Sequence, residues 1–126
     1  MINSKKLNQV LKYEAESNKE TKAIIVACSD GGIISFGIDE KLTDIQQVND
    51  ISSILTSFFN EYKSSPNSIK DLYLETSKGK FIIGAINVKN LYLIMYFDAE
   101  TTIGKVHLRF LNLSNSLSKI NIISQQ

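Results

Sequence analysis

Two stretches of the chain are apolar on every side, and they constrain the fold more than any other feature. Residues 23–28 read AIIVAC and residues 91–97 read LYLIMYF, and neither shows the polar alternation of a half-exposed strand. Strands of this kind are buried on both faces of a sheet, so helices must cover both sides. The two stretches are therefore predicted to be central, neighbouring strands of one sheet.

The remaining pattern predicts three helices and three further strands. Helical or strand-like periodicity marks residues 4–17, 33–38, 43–63, 69–77, 81–86 and 99–120. The predicted order is α-β-β-α-β-β-β-α. It describes an α/β (α+β) sandwich with a central five-stranded antiparallel sheet, the long middle helix on one face and the terminal helices on the other. A length of 126 residues fits one domain that spans residues 1–126.

Residues 27–37, ACSDGGIISFG, contain three of the six glycines of the chain. A phosphate-binding loop would place such glycines between a strand and the N-terminus of a helix. Here the β-branched and aromatic segment IISFGI follows, which is typical of a strand. The Asp30-Gly31 pair therefore predicts a hairpin turn with positive φ at both central positions.

The middle helix is predicted to be the largest contributor to the core. Thr43 and Gln46 have the spacing of a capping box at its start, and Pro66 is predicted to end it. Its apolar residues are predicted to form one wide stripe opposite a polar side: Ile45, Val48, Ile51, Ile54, Leu55, Phe58, Phe59 and Tyr62.

The central position of the two apolar strands leaves residues 33–38 and 71–77 as the edges of the sheet. An exposed edge strand invites pairing with another chain, and charged residues usually oppose this. Leu72, Tyr73 and Leu74 make the second edge more apolar than a solvated edge should be. We expect this edge to be covered by a second copy of the chain.

Composition and charge exclude several classes of function. A formal net charge of +1 provides no broad field for nucleic acid or an anionic membrane. The chain has one cysteine, Cys28, and one histidine, His107. The single cysteine cannot form an internal disulfide, and the two residues together cannot form a zinc site. They lie far apart in sequence, so no catalytic triad is predicted. The sequence shows neither a signal peptide nor a membrane span, so a cytoplasmic protein is expected.

The acidic residues are predicted to have structural roles. They lack the spacing of a calcium loop, and each fits a turn or a helix cap: Asp30, Asp39, Glu40 and Asp44. No metal, no cofactor and no catalytic residue is therefore predicted, and the chain is expected not to be an enzyme.

The order of elements resembles the roadblock family of dynein light chains, whose fold is profilin-like and longin-like. The likeness covers roughly residues 23–112 and is carried by three parts. They are the hairpin AIIVACSDGGIISFG, the helix 43–63, and the stretch LETSKGKFIIGAINVKNLYLIMYFDAETTIGKVHLRF. The last part includes an aspartate, Asp98, before the glycine Gly104 that enters the final helix.

The resemblance implies a dimer, formed with a second copy or a related chain. The third strands, residues 71–76, would pair edge to edge, and the middle helices, residues 45–62, would pack side by side. The implied interface residues are Leu72, Tyr73, Leu74, Glu75, Thr76, Ile51, Leu55 and Phe58.

Family members are non-catalytic scaffolds or regulators of Ras-like small GTPases, and this activity is implied here. The GTPase would bind the polar side of the paired middle helices, at Gln46, Gln47, Asn49, Asp50, Ser53, Ser57 and Asn60. The sole arginine, Arg109, is predicted on the opposite face, where it cannot reach a phosphoryl group as an arginine finger. Any effect on GTP hydrolysis would therefore be indirect.

Two other classes of function remain open from the sequence. A small-ligand sensor of PAS-like or GAF-like shape would hold a molecule between the sheet and a helix. A purely structural dimerisation module of a larger complex would associate without any nucleotide-dependent partner.

Overall fold

The computed structural model describes residues 4–41, 43–63, 69–86 and 90–119. It confirms the predicted order of three helices and five strands. The elements are α1 (Ser4–Ser17), β1 (Thr21–Cys28), β2 (Ile33–Ile38), α2 (Ile45–Lys63), β3 (Asp71–Glu75), β4 (Gly79–Ala85), β5 (Leu91–Asp98) and α3 (Ile103–Lys119).

The five strands form one antiparallel sheet in the order β2-β1-β5-β4-β3. The two apolar strands β1 and β5 are central neighbours, with Ile25 opposite Ile94, and β2 and β3 are the edges, as predicted. One face of the sheet packs against α1 and α3 in a core that includes Leu11 and Phe110. The other face packs against α2, whose Phe59 lies in a separate core. The predicted sandwich is therefore confirmed.

The β1–β2 hairpin is confirmed, but the predicted turn type is wrong. Among the described residues only Gly31 and Asn90 have positive φ, so Asp30 does not. The N–H of Gly31 donates to the Cys28 carbonyl (2.9 Å), and the N–H of Cys28 donates to the Gly32 carbonyl (2.8 Å). This is a tight turn followed by a left-handed glycine, the usual form of a slightly longer hairpin loop. The glycines therefore turn the chain.

The capping box of α2 lies one residue later than predicted. The backbone N–H of Gln47 donates to Asp44 Oδ1 (2.8 Å), and Gln47 Oε1 accepts from the N–H of Asp44 (3.1 Å). Thr43 is buried, and its hydroxyl makes no hydrogen bond within the described part of the chain. Asp44 is the stronger cap because its charge also complements the positive end of the helix dipole.

Some predictions lie outside the described residues. The helix stop at Pro66 and residue 120, the last of the predicted segment 99–120, belong to this group. Asn90, directly before β5, has a φ of 64°. No helix in the described ranges is long and apolar enough to cross a membrane.

Helix α1 lies so close to β2 that only a glycine fits between them. A Cβ at Gly37 would overlap the carbonyl group of Leu11, whereas a Cβ at Gly104 in α3 would meet no atom. We expect Gly37→Ala to lower the free energy of unfolding by about 1–3 kcal/mol, because backbone must move to admit the methyl group. Urea denaturation followed by circular dichroism measures this change.

Gly104→Ala is the matched control. It adds the same methyl group in open space on a helix, so it should leave the protein as stable or up to about 1 kcal/mol more stable. Equal stability of the two variants would show that α1 is not held against β2 as described.

Candidate interaction surface

Strand β3 presents an unpaired edge of backbone. Within the described part of the chain it pairs with β4 alone, in a register that places Leu74 opposite Phe81. The N–H of Thr76 donates to the Gly79 carbonyl (2.9 Å), and bonded pairs alternate along an antiparallel ladder. Leu72 and Leu74 therefore bond to β4, and the backbone groups of Asp71, Tyr73 and Glu75 point away from the sheet. These groups can accept another strand.

The wide apolar stripe of α2 divides into a buried side and an exposed side. The buried side contains Val48, Leu55 and Phe59 and packs against the sheet. The second side is solvent-exposed, and its members are Ile54, Phe58 and Tyr62, with the half-buried Ile51 beside them. The predicted stripe covers roughly half of the helix circumference, which is more than one flat sheet can bury. The width of the stripe was therefore the feature of the sequence that indicated an exposed apolar side.

The exposed apolar side of α2 faces the β3 edge. A cleft of about 430 Å³ lies between the first half of α2 and the turn from β3 to β4. From the helix it is lined by Ile51 and Ile54 together with the polar Gln47 and Asp50, and from β4 by Phe81. On the opposite flank of α2, Ser52 donates a hydrogen bond to the Gly31 carbonyl (3.0 Å), so that flank faces the β1–β2 turn. Two surfaces that no described residue covers, the backbone edge of β3 and the exposed apolar side of α2, thus lie side by side.

Most of the residues predicted for the dimer interface lie on these two surfaces. Leu72, Tyr73 and Leu74 are half-buried, and Glu75 and Thr76 are exposed. Phe58 is exposed on α2 and Ile51 is half-buried. Leu55 is different, because it is only 4% exposed and packs in the core of its own chain. Leu55 is therefore not available at the surface of this chain, whereas its neighbour Ile54 is 55% exposed.

The residues predicted to bind a partner lie mainly on the solvent side of α2. The exposed ones are Gln46, Gln47, Asn49, Asp50, Ser53 and Ser57. Asn60 differs from these residues, because it is half-buried and hydrogen-bonded within the chain. Its amide donates to the Ser29 carbonyl (2.7 Å), and its Oδ1 accepts from the Tyr92 hydroxyl (2.5 Å).

Tyr73 links the β3 edge to α3. Its ring centroid lies 5.6 Å from that of the exposed His107, and its hydroxyl donates to Glu75 Oε1 (3.2 Å). Partial burial and the Glu75 carboxylate together raise the pKa of the Tyr73 phenol above its ordinary value. The Tyr73 hydroxyl therefore keeps the proton that its hydrogen bond to Glu75 requires.

The remaining polar residues singled out in the sequence have structural partners. Arg109 lies on α3, across the sheet from α2, and pairs with Glu20 (3.1 Å). Carboxylate oxygens of Asp30 and Asp39 accept backbone N–H groups two residues later. Cys28 is half-buried against the core on the α1 and α3 side.

Known structures resemble the chain in fold. No protein-family model and no curated protein matches it. The roadblock/LC7 domain from Streptomyces avermitilis is 9% identical, with a TM-score of 0.72 over 87% of this chain and 92% of that one. Myxococcus xanthus MglB is 18% identical, with a TM-score of 0.76 over 98% of this chain and 94% of that one. The chain has the roadblock fold.

Two further known structures are similar to the chain in fold at low sequence identity. A structure of MglB with a tetrameric arrangement is 10% identical, with a TM-score of 0.77 over 93% of this chain and 88% of that one. Schizosaccharomyces pombe profilin is 12% identical, with a TM-score of 0.62 over 90% of this chain and 98% of that one. The roadblock fold is thus profilin-like, as predicted, and at these identities the likeness concerns the fold alone.

The bonds of Asn60 assign it a structural role within the roadblock fold. We expect Asn60→Ala to lower the free energy of unfolding by about 1–3 kcal/mol, because it leaves the Ser29 carbonyl and the Tyr92 hydroxyl without this partner. Ser57→Ala, on the exposed side of the same helix, should change it by less than about 0.5 kcal/mol. Urea denaturation at one fixed protein concentration compares the two, and equal values would return Asn60 to the binding surface.

Proposed function

We propose that this protein is a non-catalytic scaffold that pairs with itself or with a related chain and binds a Ras-like small GTPase. Pairing would join the β3 edges and bring the two α2 helices side by side. The GTPase would bind the polar, solvent-facing side of the paired α2 helices.

One observation supports the proposed pairing of two chains. The exposed apolar side of α2 and the open backbone edge of β3 lie on the same flank of the molecule. A second chain related by a two-fold axis would satisfy both, because the same patch then contacts itself. Each fully buried large apolar side chain contributes about 1.5–3 kcal/mol, so burial of Ile54, Phe58 and Tyr62 from both chains would stabilise the dimer substantially.

The GTPase proposal rests on the family resemblance and on the chemistry of the exposed α2 residues. Gln46 and Asp50 are exposed and bonded to each other (3.1 Å), and Gln47, Ser53 and Ser57 extend the polar surface along the helix. Paired helices would place two copies of this surface next to each other. With Arg109 on the opposite face, any change in GTP hydrolysis would come from positioning the residues of the GTPase itself.

The packing under α2 does not favour the ligand sensor. Val48, Leu55 and Phe59 fill the space between the helix and the sheet, against residues such as Ile25 and Ile94. All five are at most 4% exposed. A structural dimerisation module shares the same pairing surface and differs only in lacking the GTPase.

The pairing can be tested by a matched pair of aspartate substitutions. Ile54 and Leu108 have nearly equal exposure, 55% and 58%, but Leu108 lies on the outer side of α3. We expect wild type and Leu108→Asp to elute as dimers and Ile54→Asp as a monomer, because a carboxylate cannot be buried unpaired in an apolar interface. Size exclusion coupled to light scattering measures the mass.

Leu74→Asp on β3 tests the strand edge in the same way. A monomeric wild type would contradict self-pairing and leave only a related chain as partner. Dimers that survive both Ile54→Asp and Leu74→Asp would place the interface elsewhere.

The proposed binding of a GTPase is tested by a matched pair of charge-reversal substitutions. Asp50→Lys on α2 and Glu16→Lys on α1 change the net charge equally, on opposite faces of the sheet. The probes are the Ras-like GTPases of the source genome, each loaded with GDP or with a non-hydrolysable GTP analogue, and biolayer interferometry reports binding. Asp50→Lys should weaken binding at least about tenfold, or 1.4 kcal/mol, and Glu16→Lys should leave it unchanged.

A dimer that binds none of these GTPases in either nucleotide state would favour the structural dimerisation module. Equal loss in both variants would mean that net charge, and not the α2 surface, governs the interaction.

A further inference from the structure

Strand β2 forms the other edge of the sheet, and its outer backbone groups have no partner in the described part of the chain. The N–H of Asp39 donates to the Lys22 carbonyl (3.1 Å), in register with Gly37 opposite Ile24. Because bonded pairs alternate in an antiparallel ladder, Gly37 bonds to β1, and the N–H and C=O groups of Phe36 and Ile38 point outward. Within the described ranges, no turn or loop supplies hydrogen bonds to these groups.

The strand lacks the usual protection of an edge. Its sequence, IISFGI, contains no charged residue and no proline, and these are the residues that normally oppose pairing with another chain. The irregular register near Ile33 lies at the start of the strand, and the segment from Phe36 to Ile38 pairs regularly with β1. A regular stretch of edge is therefore open.

A groove runs along this open edge. It has a volume of about 570 Å³, with Phe36, Gly37 and Ile38 on one side and the turn at Asp39, Glu40 and Lys41 at one end. Its other wall is a polar row on α1 with a spacing of four residues: Asn8, Lys12 and Glu16. The Asn8 side chain is hydrogen-bonded to the Ser35 hydroxyl, which fixes the row beside the strand.

The row on α1 carries two opposite charges at the spacing of a strand. Lys12 and Glu16 are exposed, and neither makes an ion pair with another described residue. Four residues of helix rise about 6 Å, and two residues of strand span about 6.6 Å. Alternate side chains of a strand in the groove would therefore meet Lys12 and Glu16 in turn.

We propose that the groove between β2 and α1 binds an extended peptide segment of a partner protein by β-strand addition. The backbone of the segment pairs with Phe36 and Ile38. Its side chains alternate between charged residues, acidic beside Lys12 and basic beside Glu16, and apolar residues on the face that carries the Phe36 side chain. Strand addition of this kind obtains affinity from backbone hydrogen bonds and specificity from alternate side chains. The site is separate from β3 and does not depend on pairing there.

Two synthetic peptides test the proposal, acetyl-TVKVEVT-amide and acetyl-TVEVKVT-amide. They have the same composition and differ in the order of the two charges. Asn8, Lys12 and Glu16 succeed one another in the same direction as β2. An antiparallel peptide runs the opposite way and meets Glu16 before Lys12. It should therefore prefer the first order, with lysine before glutamate. Amide hydrogen exchange and chemical-shift titration of the full chain by NMR report binding residue by residue.

We expect the first peptide to slow exchange at Phe36 and Ile38 by at least about tenfold. Exchange at Gly37, which is already bonded to β1, should be slow with and without peptide. The first peptide should bind about threefold more tightly than the second, the range of an exposed ion pair.

The double variant Lys12→Glu, Glu16→Lys provides the matched control. It keeps the composition and the exposed helix surface, and it should reverse the preference between the two peptides without changing thermal stability by much. Retention of the original preference would overturn the assignment of the groove.

Three other results would also overturn the proposal. One is fast exchange at Phe36 and Ile38 with either peptide at saturation. Another is protection that appears without peptide and grows with protein concentration, which would mean that a second copy pairs with β2. The last is protection without peptide at every concentration, which would mean that the chain itself covers the strand.

Discussion

The antiparallel pairing of β1 with β5 is the interaction on which the rest of the structure depends. These two strands are apolar on both faces, so the hydrophobic effect requires a helical layer on each side of them. Helix α2 supplies one layer, and α1 with α3 supplies the other. Because β2 pairs with β1, β4 pairs with β5 and β3 pairs with β4, the strands β2 and β3 lie at the edges. The centre of the sheet thus determines where open backbone is available for other chains.

The surface of α2 follows from the same constraint. A sheet can bury one side of a helix, and the sequence of α2 provides apolar residues for more than one side. The surplus, with Ile54, Phe58 and Tyr62, is exposed beside β3. An exposed apolar row next to an open strand edge is the arrangement expected of an interface in which sheets and helices from two chains continue across a two-fold axis.

The layers, the strand order and the two edges could be predicted from the sequence because they depend on long apolar runs and on periodicity. The choice between Leu55 and Ile54 could not, since adjacent residues on a wide apolar arc differ only in the rotation of the helix about its axis. That rotation is set by tertiary packing, including the bond from Ser52 to the Gly31 carbonyl. The hydrogen bonds of Asn60 could not be predicted for a related reason: its partners Ser29 and Tyr92 are remote in sequence. The N-cap of α2 was predicted one residue too early because Thr43 and Asp44 are both good capping residues, and only the fold selects Asp44.

The central claim is that a second chain covers the β3 edge, and hydrogen exchange at its outward-facing amides tests it most directly. The N–H groups of Asp71, Tyr73 and Glu75 should exchange rapidly in dilute protein and become protected as the protein concentration rises, while Leu72 and Leu74 stay protected throughout. Rapid exchange at Asp71, Tyr73 and Glu75 at every concentration, with or without a related chain, would contradict the account.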